Sequence, residues 1–174
     1  YSNLVLYNGT WYYVKNGKID WCYTNLVQYH GTWYFVENGK INWGKNTLSQ
    51  VDGHGTWYYI ENSQINWHYT GLTQYFGTWY YIQNGALNWS YNGLVHYHGT
   101  WFYVHNGQID WNYSNLVLYN GTWYYVENGK IDWNKITLSQ VDGHGTWYYV
   151  ENGQINWSYN GYYNNHTIHN GVVC

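Results

Sequence analysis

The chain has 174 residues, 24% of them aromatic and only 9% charged, with six lysines, no arginine and a formal charge of −3. Binders of single-stranded nucleic acid combine stacking aromatics with a basic groove, so this composition argues against a nucleic-acid partner. Membrane insertion by a helix is also excluded, since no apolar run approaches the ~20 residues a spanning helix needs.

The sequence opens on Tyr1-Ser2-Asn3-Leu4, which returns at Tyr113 to Leu116, and it lacks an initiating Met. We therefore expect a fragment or processed product whose flank carries another domain. The first strong signal is WYYVKNGKIDW, Trp11 to Trp21. Two aromatic or β-branched runs flank Asn16-Gly17, the preferred pair of a two-residue type I′ turn, and predict a β-hairpin. With that turn Lys15 faces Lys18, Val14 faces Ile19, Tyr13 faces Asp20 and Tyr12 faces Trp21. Tyr12, Val14, Ile19 and Trp21 then form an apolar face read as core. Trp11, Tyr13 and Asp20 form the other.

The same unit recurs along the chain. Its first tryptophans are Trp11, Trp33, Trp57, Trp79, Trp101, Trp123 and Trp147, and each has a partner ten residues later, from Trp21 to Trp157. The fold predicted is all-β: a repeat solenoid of seven stacked β-hairpins with a period of about 22 residues, in which each unit buries its apolar face against its neighbours. Residues 1–157 are expected to form this single module and residues 158–174 a C-terminal cap or truncated repeat. One hairpin turn departs from Asn-Gly, at Asn62-Ser63. Two stretches reading TLSQVDGHG, at Thr47 to Gly55 and Thr137 to Gly145, carry two extra residues each, and they are expected to fall between hairpins, where lengthening costs little. Just before each stretch, a lysine (Lys45 or Lys135) replaces the first tyrosine of the connector.

Two flat rings beside an Asp or Asn suit a sugar or a quaternary ammonium. Ring faces attract C–H groups or a cation, and the carboxylate or amide meets hydroxyls. The candidate ligand-binding residues are Trp11, Tyr13, Trp33, Phe35, Trp79, Tyr81, Trp101, Tyr103, Trp123 and Tyr125, with Asn88 and the connector rings Tyr91 and Tyr97. The alternative is that these rings only cement one unit to the next, giving a structural spacer or a self-associating surface protein. A pocket walled by a connector tyrosine would be incomplete at Lys45 and Lys135.

Catalytic patterns are missing: the sequence has no HExxH, no P-loop and no paired Cys ligands, so no enzyme, cofactor or metal centre is expected. His96 and His98 share one side of a strand in one unit only, and Asp52 with His54, like Asp142 with His144, reads as a turn between glycines. Cys22 and Cys174 stand far apart in the chain and point to free thiols or intermolecular pairing.

At GTWYYVENGKI the chain resembles the cell-wall-binding repeats of Gram-positive bacteria, a group that includes choline-binding modules, glucan-binding repeats of glucansucrases and the repetitive regions of large clostridial toxins. The shared elements are Gly-x-Trp-Tyr-Tyr, a hairpin turn ending in Gly and an aliphatic residue two positions later, and they cover residues 9–157. The resemblance implies a secreted, non-catalytic module on a bacterial cell surface or cell wall. Its pockets between hairpins would hold a polysaccharide, teichoic acid or host glycan multivalently, and so retain an attached domain there. Choline-binding repeats usually carry a Met after the second Gly and close on Gly-Trp, whereas Ile19 and Asp20-Trp21 occupy that region here. Choline is thus the less expected ligand.

Overall fold

The computed structural model describes residues 2–51, 55–141 and 145–174, so Asp52, His54, Asp142 and His144 lie outside the described residues. All secondary structure among the described residues is antiparallel β, as the solenoid of hairpins requires. The turn at Asn16-Gly17 is present, with φ of 51° and 77°, and Val14 pairs with Ile19 and Lys15 with Lys18. These are the left-handed conformations that the type I′ turn demands.

Each repeat nevertheless supplies three strands, not two. In the second repeat they are Asn25–Tyr29, Thr32–Glu37 and Lys40–Ile41. The connector, expected as a link, is itself a strand and forms the longer hairpin, pairing from Asn25↔Val36 to Tyr29↔Thr32. That hairpin closes at His30-Gly31, with φ of 49° and 83°, and Asn8-Gly9, Phe76-Gly77, His98-Gly99 and Asn120-Gly121 repeat the geometry. The varied first residue disguises the turn, because the hairpin signal is Asn-Gly or Asp-Gly, and His30, His98 and Phe76 break it. The two-residue insertions accordingly fall within this hairpin's loop and not between hairpins: Gln50 pairs with Trp57 and Gln140 with Trp147.

The chain forms two compact units, Tyr1–Asn88 and Trp89–Cys174. Within the first, the long strand of one repeat receives the short strand of the next, through Tyr12↔Lys40, Tyr34↔Gln64 and Tyr58↔Ala86. The second unit repeats this at Phe102↔Lys130, Tyr124↔Gln154 and Tyr148↔Val172. Residues 158–174 carry the same three-strand arrangement at Gly161–Tyr163, His166–His169 and Val172–Val173.

Within each unit the core is a series of aliphatic clusters, one at each approach of successive repeats. A connector leucine meets the Val or Ile and the short-strand Ile of the following repeat: Leu4 with Val36 and Ile41, and Leu116 with Val150 and Ile155. Fully burying one such side chain contributes about 1.5–3 kcal/mol. The division into a core face and a ligand face does not hold. Phe35 and Val36 are adjacent, point to opposite faces of their strand and are both buried, because Leu4 of the preceding repeat covers Val36 and Ile60 and Ile65 of the next repeat cover Phe35. The tryptophans assigned to the core, Trp21, Trp43, Trp67, Trp89, Trp111, Trp133 and Trp157, are instead 43–57% exposed. Their strand ends two residues earlier, at Ile19 in the first repeat. There the Asp20 carboxylate accepts the Cys22 N–H and its carbonyl accepts the Tyr23 N–H, so a turn interrupts the alternation that the face assignment assumed.

Repeats approach each other closely at the Asn-Gly turn. A Cβ on Gly39 would lie 2.6 Å from the Asp20 carbonyl oxygen and 3.0 Å from Trp21 Cα. Ser63 occupies this place in the third repeat, fully buried at φ 60°, with its hydroxyl donating to the Asn42 carbonyl. Ser63→Gly relieves a left-handed conformation costing roughly 1–2 kcal/mol and removes one hydrogen bond worth about 0.5–1.5 kcal/mol. Asn42 O keeps the Lys45 N–H. The expected result in thermal melts is an unchanged or slightly raised midpoint; a clear fall would show that the hydroxyl outweighs the backbone term.

Candidate functional site

Between successive repeats the rings converge into small apolar cages. In the first unit Trp11, Tyr29, Tyr34 and Trp43 stand over Leu4 and Ile41, beside His30, around a cavity of 140 Å³. In the second, Trp101, Tyr119, Tyr124 and Trp133 stand over Leu94 and Ile131, beside Asn120, around 210 Å³. Each ring is placed by a different element. Trp11 is the second residue of its long strand, Thr10–Lys15, and Tyr29 ends the next connector strand, with ring centres 5.3 Å apart and planes at 60°. Trp43 sits in the turn after the short strand, edge-on to Tyr34 at 5.9 Å and 89°. The second cage reproduces this, with Trp101–Tyr119 at 5.3 Å and 61° and Tyr124–Trp133 at 5.9 Å and 81°. No lysine, aspartate or glutamate lines either cage. Several π faces around an uncharged apolar floor attract a cation that needs no hydrogen bonds.

The insertion junctions differ. Val51 takes the place of Tyr29, packing with Trp33 and Tyr58, and Val141 does so beside Trp123 and Tyr148. Each of these two junctions therefore has one cage ring fewer. Trp57 and Tyr75 restore the pair at 5.5 Å and 56°.

Of the residues singled out in the sequence, Trp11 and Trp101 line cages, while Trp33 and Trp123 sit at the valine junctions. Trp79 is half-buried as the second residue of its long strand, Thr78–Gln83, and Tyr97 ends its connector strand half-buried, in the position that Tyr29 and Tyr119 hold in the two cages. The third aromatics go elsewhere. Phe35 and Tyr81 are buried. Tyr13 stacks on the connector ring Tyr23 at 3.8 Å, Tyr103 packs on Tyr113 at 4.0 Å, and Tyr125 packs beside Leu116 and Val150. The first connector tyrosine is an anchor, since its hydroxyl donates to the carbonyl of the following leucine; Tyr91 does this to Leu94 at 2.9 Å. Asn88 donates its amide to Gln83 at 2.7 Å. Trp43, Trp133, Tyr34 and Tyr124 complete the cages and are not among the residues singled out in the sequence, while Tyr29 and Tyr119 are connector rings of the same kind as Tyr97. An available signal was the Asp or Asn before each second tryptophan, a residue type that favours turns and ends strands.

Lysine substitutes for the stacking tyrosine at two places. Lys45 pairs with Glu37 and Lys135 with Glu127, each at 2.7 Å, and Lys135 Nζ also lies 5.1 Å from the centre of the Tyr125 ring. The hydrogen bond that Lys135 donates to the Glu127 carboxylate raises the lysine pKa above its ordinary value, against the lowering by burial. Among the described residues no three His, Cys, Asp or Glu side chains gather as metal ligands, and Cys22 and Cys174 are both exposed free thiols.

A β-hairpin solenoid with aromatic cages between its repeats defines a class of non-catalytic binding module. The chain belongs to the choline-binding repeat family, whose repeat profile matches residues 1–20, 23–42, 46–66, 69–88, 90–110, 112–132 and 141–156. Among solved structures, CbpJ from Streptococcus pneumoniae TIGR4 is similar at 21% identity and a TM-score of 0.37, over 100% of this chain and 58% of that one. CbpF in complex with ipratropium, introduced by soaking, is similar at 21% identity and a TM-score of 0.36, over 98% of this chain and 58% of that one. The chain thus spans under two thirds of the length of these relatives. Curated protein sequences give no match.

Proposed function

We propose that the cages bind quaternary ammonium groups, choline being the natural representative, and that several cages together hold the protein on a choline-bearing polymer such as a wall teichoic acid at the bacterial surface. The observation that carries this reading is the cage of Trp101, Tyr119, Tyr124 and Trp133, apolar in its floor and free of lining lysine, aspartate or glutamate. A neutral sugar would leave its hydroxyls facing Leu94 and Ile131 without partners, a costly arrangement. A trimethylammonium group has no hydroxyls to satisfy there. This ranks choline above the glycans that the sequence alone favoured. Each ring contributes about 0.5–2 kcal/mol to holding a cation, so one cage binds on the order of 4 kcal/mol, about millimolar. Several such sites on one chain raise retention on a polymer through effective concentration.

The test is retention on a choline-substituted matrix in enough salt to screen simple ion exchange, with tryptophan fluorescence followed during choline titration. Retention, release by free choline and a saturable fluorescence change are expected. Passage through the matrix with unchanged fluorescence would leave the rings as packing and favour the spacer.

A further inference from the structure

A hollow of about 450 Å³ opens at the Lys45 junction, over Leu48 and against the Trp57–Tyr75 pair. We propose that it is a saccharide site for a neutral pyranose unit of a glycan chain, which shares the Trp57–Tyr75 pair with the cage series but adds the polar side chains of Glu37, Lys45 and Gln50, and so goes beyond the ammonium reading. Its volume falls within the roughly 300–1,000 Å³ typical of ligand pockets, whereas the cages measure 140 and 210 Å³.

The lining supplies what a sugar needs. Trp57, Tyr75 and Phe76 form a wall of rings, with Trp57–Tyr75 centres at 5.5 Å and Tyr75–Phe76 at 4.5 Å. Phe76 is 90% exposed and sits at φ 47°, in a turn position where Asn or His stands in other repeats. A bulky ring there accepts backbone strain and buries little of itself, a combination that packing does not explain and a ligand does. The polar lining includes Glu37, Lys45 and Gln50. The lysine ammonium and carboxylate pair at 2.7 Å, so the site presents donors and acceptors with little net charge. That balance suits vicinal hydroxyls, which donate and accept, and disfavours an isolated anion or ammonium. The site exists because Lys45 replaces the tyrosine that elsewhere stacks on the third aromatic, as Tyr23 does on Tyr13 at 3.8 Å. At the matching junction of the second unit a ring crosses instead: Tyr163 donates to the Ile136 carbonyl at 3.2 Å and lies edge-on to Tyr149 at 5.2 Å.

The experiment titrates the full chain with isomaltotriose, cellotriose and triacetylchitotriose while the indole N–H signals of Trp57 and Trp11 are followed by NMR, with choline titrated in parallel. At least one saccharide is expected to shift Trp57 saturably and leave Trp11 unmoved. Lys45→Tyr, which restores the stacking ring over Phe35, should weaken that affinity about tenfold, and Phe76→Asn should weaken it several-fold while the melting temperature holds. The Asn is the residue found at this turn in positions 8 and 120, so Phe76→Asn keeps the test open if Lys45→Tyr fails to fold. The choline response of the Trp11 cage should be unchanged in both variants. The proposal is overturned if none of the three saccharides shifts Trp57 at millimolar concentration, if both variants bind like the parent, or if Trp43→Ala abolishes saccharide binding. Because choline is read separately, failure here and failure of the ammonium reading are distinguishable.

Discussion

Gly129→Ala is expected to destabilise the second unit by several kcal/mol, while Gly121→Ala, eight residues earlier, costs little more than its backbone strain. Both glycines are left-handed, at φ of 75° and 82°, and for both an alanine adds roughly 1–2 kcal/mol of conformational cost. They differ in surroundings. A Cβ on Gly121 meets nothing within 4 Å, whereas one on Gly129 would lie 2.7 Å from the Asp110 carbonyl oxygen and 3.1 Å from Trp111 Cα. Both of those atoms are backbone of the preceding repeat and cannot swing away like a side chain. Retreat of Gly129 is also opposed, because its N–H donates to Tyr113 O at 3.0 Å and its carbonyl accepts the Tyr103 N–H at 2.8 Å. Overpacking adds about 1–3 kcal/mol and each weakened hydrogen bond about 1 kcal/mol. The sum is a large share of the 5–15 kcal/mol that holds a domain folded. Urea denaturation followed by circular dichroism measures the difference, and equal losses for the two variants would show that the inter-repeat approach is slacker than described.

The second large effect is on binding. Trp133→Ala is expected to remove choline binding from its cage and leave the melting temperature close to the parent's. The indole is 44% exposed and touches the fold through its edge-on contact with Tyr124 at 5.9 Å. Truncating it therefore costs less than the about 3–5 kcal/mol of a buried aromatic. Removal of one ring from a shallow cage loses about 0.5–2 kcal/mol and opens the site to water. In the parent chain choline should shift the Trp101 indole N–H signal, and in Trp133→Ala that response should fall below detection. Tyr125→Ala should behave the opposite way, since that ring packs beside Leu116 and Val150 under Lys135 Nζ. It should lower the melting temperature and preserve the choline response. The reverse pattern would return Trp133 to the core and Tyr125 to the ligand.

What lay open in the residues was whatever depends on neighbours along the chain. Asn16-Gly17 between two β-branched or aromatic runs dictates a type I′ turn, and that turn sets the pairing Val14↔Ile19 by geometry alone. The repeat of the unit implies stacking, because a hairpin cannot bury its apolar face unaided. The cage depended on more than this. Trp11 meets Tyr29 and Trp43 only because the next repeat docks its short strand on the first, at Tyr12↔Lys40, bringing together rings separated by 18 and 32 residues. Alternation carried past Ile19 placed Trp21 inside, but alternation describes a strand, and the Asp20 turn had already ended it. The faces of Phe35 and Val36 were equally undecidable locally, since both are buried by segments that reach them from other repeats. Turn chemistry and register are short-range and were set by the sequence; exposure and ring convergence are properties of the stack, decided by which backbone lies across the gap.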